Sequence, residues 1–156
     1  RPPESTALPP GVTVIPYLDK RIPAEARRMR EVFAGADLFV MPTRAECFGV
    51  VFCEAAAHGV PSLATETGGV SEVVRDGATG RLLPLDAGGD AWAEALARML
   101  ADRADLARMG AAARADFEDR LNWSAWAEAV GRRTRALIAA PERAVASGSL
   151  AEPARS

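Results

Sequence analysis

The chain reads as an α/β domain, a Rossmann-like parallel sheet flanked by helices, with a helical C-terminal portion. Three observations carry that reading. Short apolar runs bounded by turn residues, each the length of a strand buried on both faces, recur along the first half. Amphipathic helical patterns lie between them, and strand–helix alternation implies parallel pairing through right-handed crossovers. From Asp90 onward the pattern is wholly helical.

The elements follow in order. Residues 1–10 hold four prolines and few apolar anchors, so they read as a flexible leader. "VTVIPYL" (12–18) is the first expected strand. Pro23, at a first helical position, opens a helix that places Ala26, Met29, Val32 and Phe33 on one face. "LFVMP" (38–42) is the next strand. A helix from about Phe48 to Ala57 follows, ended by Gly59 and Pro61. "PSLAT" (61–65) is a third strand, and "GRLLP" (80–84) a fourth after the turn signal "DGATG". Asp90 is placed to cap a helix whose Trp92, Ala95, Leu96, Met99 and Leu100 share a face. Leu106, Met109, Ala113 and Phe117 form the stripe of the next. The last helix, about Trp123 to Ile138, shows Trp123, Trp126, Ala127, Val130, Leu137 and Ile138 as its stripe, so both tryptophans are expected in the core. Residues 140–156 read as a flexible tail, leaving 11–139 as the folded domain.

Composition narrows the function. A chain of 156 residues supports one domain with a sizeable core and leaves no room for two. Nineteen basic against twenty-one acidic residues give a net charge of −2 without long runs of one sign, which argues against a nucleic-acid or anionic-membrane footprint. Lys20 is the only lysine among the basic residues. Cys47 and Cys53 match neither a zinc-ligand spacing nor a disulfide framework and are expected to be small buried fillers in a reduced, cytoplasmic protein. No apolar run approaches the ~20 residues of a spanning helix. His58, the only histidine, falls in the last turn of its helix, where a local capping role suits it. Arg75 and Asp76 read as surface residues at a helix end.

The chemistry concentrates in "RAECFGVVFCEAAAHG" (44–59). In open α/β sheets ligands bind beyond the carboxyl ends of strands, where loops enter helix N-termini that favour anions. Here strand, loop and helix start follow in that order, and Gly49 allows a ligand close to the amides of Phe48, Gly49 and Val50. Glu54 sits in the middle of a helix that is otherwise apolar all round. A buried carboxylate needs a partner, so Glu54 either pairs with an arginine such as Arg44 or Arg75 or lines a cleft that a ligand enters. Glu46 and Glu54 are eight residues apart, about 12 Å along a helix, too far to flank one glycosidic bond as a hydrolase pair. That span suits two ends of an extended ligand.

These residues carry a resemblance. "PTRAECFGVVFCEAAAHGVPSLATETGGVSEVVRDGATGRLLP" (42–84) resembles the signature region of the retaining, nucleotide-sugar glycosyltransferases of the GT-B fold called group 1 or GT4. The shared features are a Glu-x7-Glu element around Phe-Gly, then Gly59-Val60-Pro61, the Gly68-Gly69 turn with Glu72, and Asp76-Gly77 before Gly80. The resemblance implies the C-terminal, donor-binding half of that fold, short of its first strand–helix units. It implies that Glu46 holds donor-sugar hydroxyls beside the reacting carbon and acts in catalysis. It further implies that Phe48, Gly49, Val50, Gly68 and Gly69 approach the sugar or diphosphate, that Glu54 accepts from the ribose hydroxyls, and that Tyr17 lies near the base. No metal or cofactor is expected, the substrate being a nucleoside diphosphate sugar. The family's Arg and Lys pair that grips the phosphates precedes this sequence, and Lys20 and Arg44 are not convincing substitutes. An N-terminal GT-B domain is therefore expected upstream, bringing the acceptor site and any peripheral membrane contact. The alternative is a non-catalytic nucleotide-sugar-binding or interaction module. A reading frame that continues upstream through an Arg…Lys phosphate loop would favour the enzyme.

Overall fold

The computed structural model describes residues 9–139. Three parallel strands form one sheet in the order β1-β2-β3, with β1 at Phe39–Met41, β2 at Ser62–Thr65 and β3 at Gly80–Leu83. The register sets Phe39 beside Ser62 and Ser62 beside Gly80. Gly80 is required there, because a Cβ would stand 2.1 Å from the Ser62 carbonyl oxygen. Among the described residues six helices accompany the sheet: α1 Pro23–Ala34, α2 Val50–Ala57, α3 Val70–Val73, α4 Gly89–Ala101, α5 Arg103–Asp119 and α6 Trp123–Ala139. This is the α/β architecture that the alternation predicts.

Strand periodicity divides the core. Ala64 and Leu82 face one side of the sheet, where they join Phe52 and Cys53 of α2 and Val70 and Val73 of α3. Leu63 and Leu83 face the other, against Met99 of α4 and Leu106 and Met109 of α5. β2 is the central strand and is buried throughout. Burying Leu63 and Phe52 completely contributes roughly 1.5–3 kcal/mol each.

Four expectations are corrected. The run at 12–18 forms no strand and, among the described residues, pairs with none, and Val12, Val14 and Tyr17 are exposed. Residues 15–21 line a cleft against α1 rather than extending the sheet beside β1. Second, α4 takes Gly88 as its N-cap, so Asp90 falls one residue inside the first turn, favourable to the dipole but not capping. Side-chain caps are found instead on α5, where Asp102 accepts from the amide of Asp105 at 2.9 Å, and on α6, where Asn122 Oδ1 accepts from the amide of Ala125 at 3.0 Å. Third, α6 buries none of its stripe: Trp123 is 77% and Trp126 58% exposed, and Val130, Leu137 and Ile138 are exposed with them. Among the described residues no element buries that face, and the tryptophans instead meet edge to face at 6.0 Å. Finally, Cys47 is exposed while Cys53 alone is buried. The leader 1–8 and the tail from 140 lie outside the described residues.

Candidate functional site

The site is built around α2. Gly49 forms its N-cap in the left-handed region (φ 78°), and a Cβ there would meet the Phe52 ring at 2.4 Å. Only glycine both adopts that conformation freely and lets the loop turn so tightly into the helix. Among the described residues the amides of Phe48, Gly49 and Val50 donate to no protein acceptor. They form a positive helix terminus with unspent donors, suited to anionic oxygens. At the other end Gly59 (φ 70°) closes a Schellman motif, with Val60 donating to the Ala55 carbonyl at 3.0 Å and Gly59 to Ala56 at 2.9 Å.

Glu54 projects from the middle of α2 into a cleft of about 690 Å³. Its side chain is 30% exposed, so it is not sealed in hydrocarbon. Neither Arg44 nor Arg75 pairs with it: the partner is Lys20, whose Nζ donates to Oε1. With Lys20 55% exposed, such a pair contributes about 0–1 kcal/mol to stability. The α1 wall of the cleft carries Met29 and Phe33, and the opposite wall carries Arg120, Trp123 and Trp126. His58 Nδ1 donates to the Glu54 carbonyl at 2.8 Å, and its ring stacks on Phe33 at 5.5 Å. That fixes the neutral ring's other nitrogen as an acceptor and makes His58 a local capping residue.

Glu46 stands on the loop before α2, outside the Glu54 cleft, with its Oε1 accepting from the Cys47 amide at 3.0 Å. The Gly68-Gly69 turn is locked against this loop. Gly69 donates to the Cys47 carbonyl at 2.9 Å, and Cβ atoms on Gly68 and Gly69 would stand 1.8 Å from the Glu46 oxygen and 2.4 Å from the Cys47 oxygen. The structure thus brings Glu46, Phe48, Gly49, Val50, Gly68 and Gly69 together at the start of α2, with Glu54 further along it. Tyr17 is 88% exposed and lines an adjoining cleft against α1, with Lys20 shared between the two.

An ion network supports the turn from behind. Asp116 of α5 is buried and accepts from Arg75 and from both Nε (2.8 Å) and Nη2 (2.6 Å) of Arg120. Arg120 also donates to the Glu72 carbonyl at 2.7 Å, which ties α5 to α3 just after Gly69. Arg75 is exposed, as the sequence predicts, yet spans 41 residues to reach Asp116. Neither Lys20 nor this network is apparent from the sequence. The one available signal was the solitary lysine. Burial pushes the Cys53 thiol above its ordinary value, away from a nucleophilic thiolate.

A parallel sheet with glycine-rich loops feeding helix starts at its strand ends, and with glutamates in one such loop and in the middle of the helix it enters, defines the C-terminal half of a GT-B glycosyltransferase fold. Residues 4–102 match the family described as Glycosyl transferases group 1, and the chain belongs to that family. The D-inositol 3-phosphate glycosyltransferase of Nocardia farcinica is 47% identical over 88 residues, 56% of this chain and 19% of that protein. The D-inositol 3-phosphate glycosyltransferase of Streptomyces scabiei is 44% identical over 102 residues, 63% of this chain and 22% of that protein. The chain thus spans about a fifth of the length of these relatives. Among solved structures, sucrose-phosphate synthase from Thermosynechococcus elongatus superposes with a TM-score of 0.63 at 36% identity, covering 70% of this chain and 27% of that one. Anabaena Alr3699/HepE, solved in complex with UDP, shares the fold with a TM-score of 0.62 at 24% identity, over 69% of this chain and 29% of that one. No helix among the described residues is long and apolar enough to cross a membrane.

Proposed function

We propose that this chain is the donor-binding part of a retaining hexosyltransferase that uses a nucleoside diphosphate sugar. The observation that carries the reading is Glu54, a carboxylate open to a cleft on a helix whose N-terminal amides are unspent. A ribose supplies hydroxyl donors to Glu54, and the diphosphate lies toward the amides of Phe48, Gly49 and Val50. Glu46, in the loop that precedes them, then faces the sugar. In the complete enzyme the bond from the anomeric carbon to the diphosphate oxygen breaks, the acceptor hydroxyl oxygen bonds to that carbon on the same face, and the hydroxyl proton leaves with the departing nucleoside diphosphate. Glu46 holds sugar hydroxyls beside the carbon that gains positive charge, while the amides support the charge on the leaving group. Fixed donors can do this without a metal, so EDTA is expected to leave nucleotide affinity unchanged. A cytoplasmic setting suits the unpaired Cys47 and Cys53.

Titration of the chain with UDP, GDP and ADP tests the reading. Glu54→Gln is expected to weaken the preferred nucleotide by roughly ten- to a hundredfold, the range of one lost charge-assisted hydrogen bond. Equal affinity in the mutant would leave Glu54 as an ordinary surface ion-pair partner and overturn the assignment. The chain by itself is expected to bind donor without sugar transfer, since the reading places the acceptor site in an upstream domain. Turnover by this chain at rates typical of intact enzymes would refute that.

A further inference from the structure

We propose that Lys20 belongs to the same site, as the residue that makes it read a vicinal diol. The inference rests on the donor-binding reading and extends it to a residue the signature does not include.

The placement of Lys20 is fixed by its surroundings. Asp19 donates its amide to Glu25 Oε2 at 2.6 Å, its side chain accepts from the Arg21 amide at 2.9 Å, and its carbonyl accepts from the Ile22 amide at 2.9 Å. This braced turn at the head of α1 delivers the Lys20 ammonium across 34 residues of sequence to Glu54 Oε1. Both side chains remain partly exposed inside the cleft. A pair so accessible adds little to folding. Among the described residues Glu54 Oε2 accepts no hydrogen bond, so half of the carboxylate stays open to the cleft.

The chemistry of the pair points to its ligand. A hydroxyl is at once a donor and an acceptor, whereas a carboxylate can only accept and an ammonium can only donate. Glu54 alone satisfies half of what a hydroxyl offers. With Lys20 beside it, one hydroxyl of a vicinal diol donates to Glu54 while its oxygen accepts from Lys20, and the neighbouring hydroxyl donates to the free Oε2. The tetrahedral ammonium has three donors, so contact with Oε1 leaves two for a ligand. Removing the hydroxyl that bridges the pair therefore strands a donor on Lys20 and an acceptor on Glu54 together, whereas removing its neighbour strands only the acceptor Oε2. Discrimination against deoxy ligands is stronger than Glu54 alone would provide.

The test measures affinity for the preferred member of UDP, GDP and ADP and for its 2′-deoxy and 3′-deoxy counterparts. In the unaltered chain the ribonucleotide is expected to bind at least about tenfold more tightly than either deoxy form. Lys20→Met, which keeps the apolar stem, is expected to lose most of the preference over the deoxy form that lacks the bridging hydroxyl, while affinity for that form changes less than about twofold. Lys20→Arg should retain part of it. Lys20→Gln, checked by circular dichroism melting, guards against a folding defect specific to the Met variant. A preference unchanged in both Lys20→Met and Lys20→Gln, but lost in Glu54→Gln, would overturn the role of Lys20 and leave the donor reading standing. Tighter ribonucleotide binding on removal of Lys20 would also overturn it, by showing that the ammonium competes for Glu54. A chain that binds none of these nucleotides, or whose preference survives Glu54→Gln, would overturn the donor reading and this inference with it.

Discussion

Single atoms decide how the site is held. A methyl group on Gly68 would occupy the space of the Glu46 carbonyl oxygen, 1.8 Å away, on a backbone with φ 53°. Gly68→Ala therefore has to push the loop carrying Glu46 off the turn, and is expected to cost about 1–3 kcal/mol of stability. A urea melt with an unchanged midpoint would show that the two loops are not in contact in solution. The two cysteines differ in kind. Cys47 is exposed and Cys53 buried, so a thiol reagent at neutral pH is expected to label Cys47 and spare Cys53. Desolvation raises the Cys53 pKa from 9.0, with smaller opposing effects from Arg120. A thiol with a raised folded pKa contributes stability that is present below the unfolded pKa and disappears as pH rises through the folded one. Stability should hold up to about pH 9 and decline above it, and Cys53→Ala should flatten that decline in melts across the alkaline range.

At the scale of elements, the strand–helix order was legible because each helix or strand declares itself locally. β1, β2 and β3 fall within the expected runs, Pro23 starts α1, and Gly59 ends α2. The failures concern what lies over an element, which a local pattern does not contain. "VTVIPYL" has the composition of a buried strand, yet composition supplies neither a pairing edge nor a covering helix. The stripe of α6 is likewise real but uncovered. Glu54 stood out as a misfit on its helix, whereas its partner lay 34 residues away and no spacing rule reaches that far. The Asp116 network is hidden for the same reason, and it has a measurable duty. Asp116 joins α5 to the segment that follows the Gly68-Gly69 turn through Arg75 and Arg120. Asp116→Asn removes the charge while keeping the shape. Since Arg75 is 52% and Arg120 33% exposed, solvent screens part of the loss, and about 1–2 kcal/mol is expected. Amide exchange in 70–74 should accelerate more than in α4, which does not share the network. Uniform acceleration would mean that Asp116 supports global stability alone.

Across the whole molecule the apolar surface is distributed unevenly. The core on both sides of β2 is closed, while Val12, Val14 and Tyr17 of the segment before α1, Val40 of the edge strand β1 and nearly the full apolar stripe of α6 face water. Scattered exposed apolar residues are ordinary in folded proteins, but runs of them on one helix are not. Tryptophan emission reports this directly, because Trp123 and Trp126 are exposed and Trp92 is half-buried. Acrylamide should quench most of the emission of the native chain at micromolar concentration, with Trp92→Phe removing the more protected fraction and leaving the accessible one intact. The same experiment with Trp123→Phe and Trp126→Phe together should do the reverse. If the native emission were instead protected, and became accessible only on dilution, the α6 face would be covered by a second copy of the chain, and the wall that Trp123 and Trp126 give to the Glu54 cleft would lie within that contact.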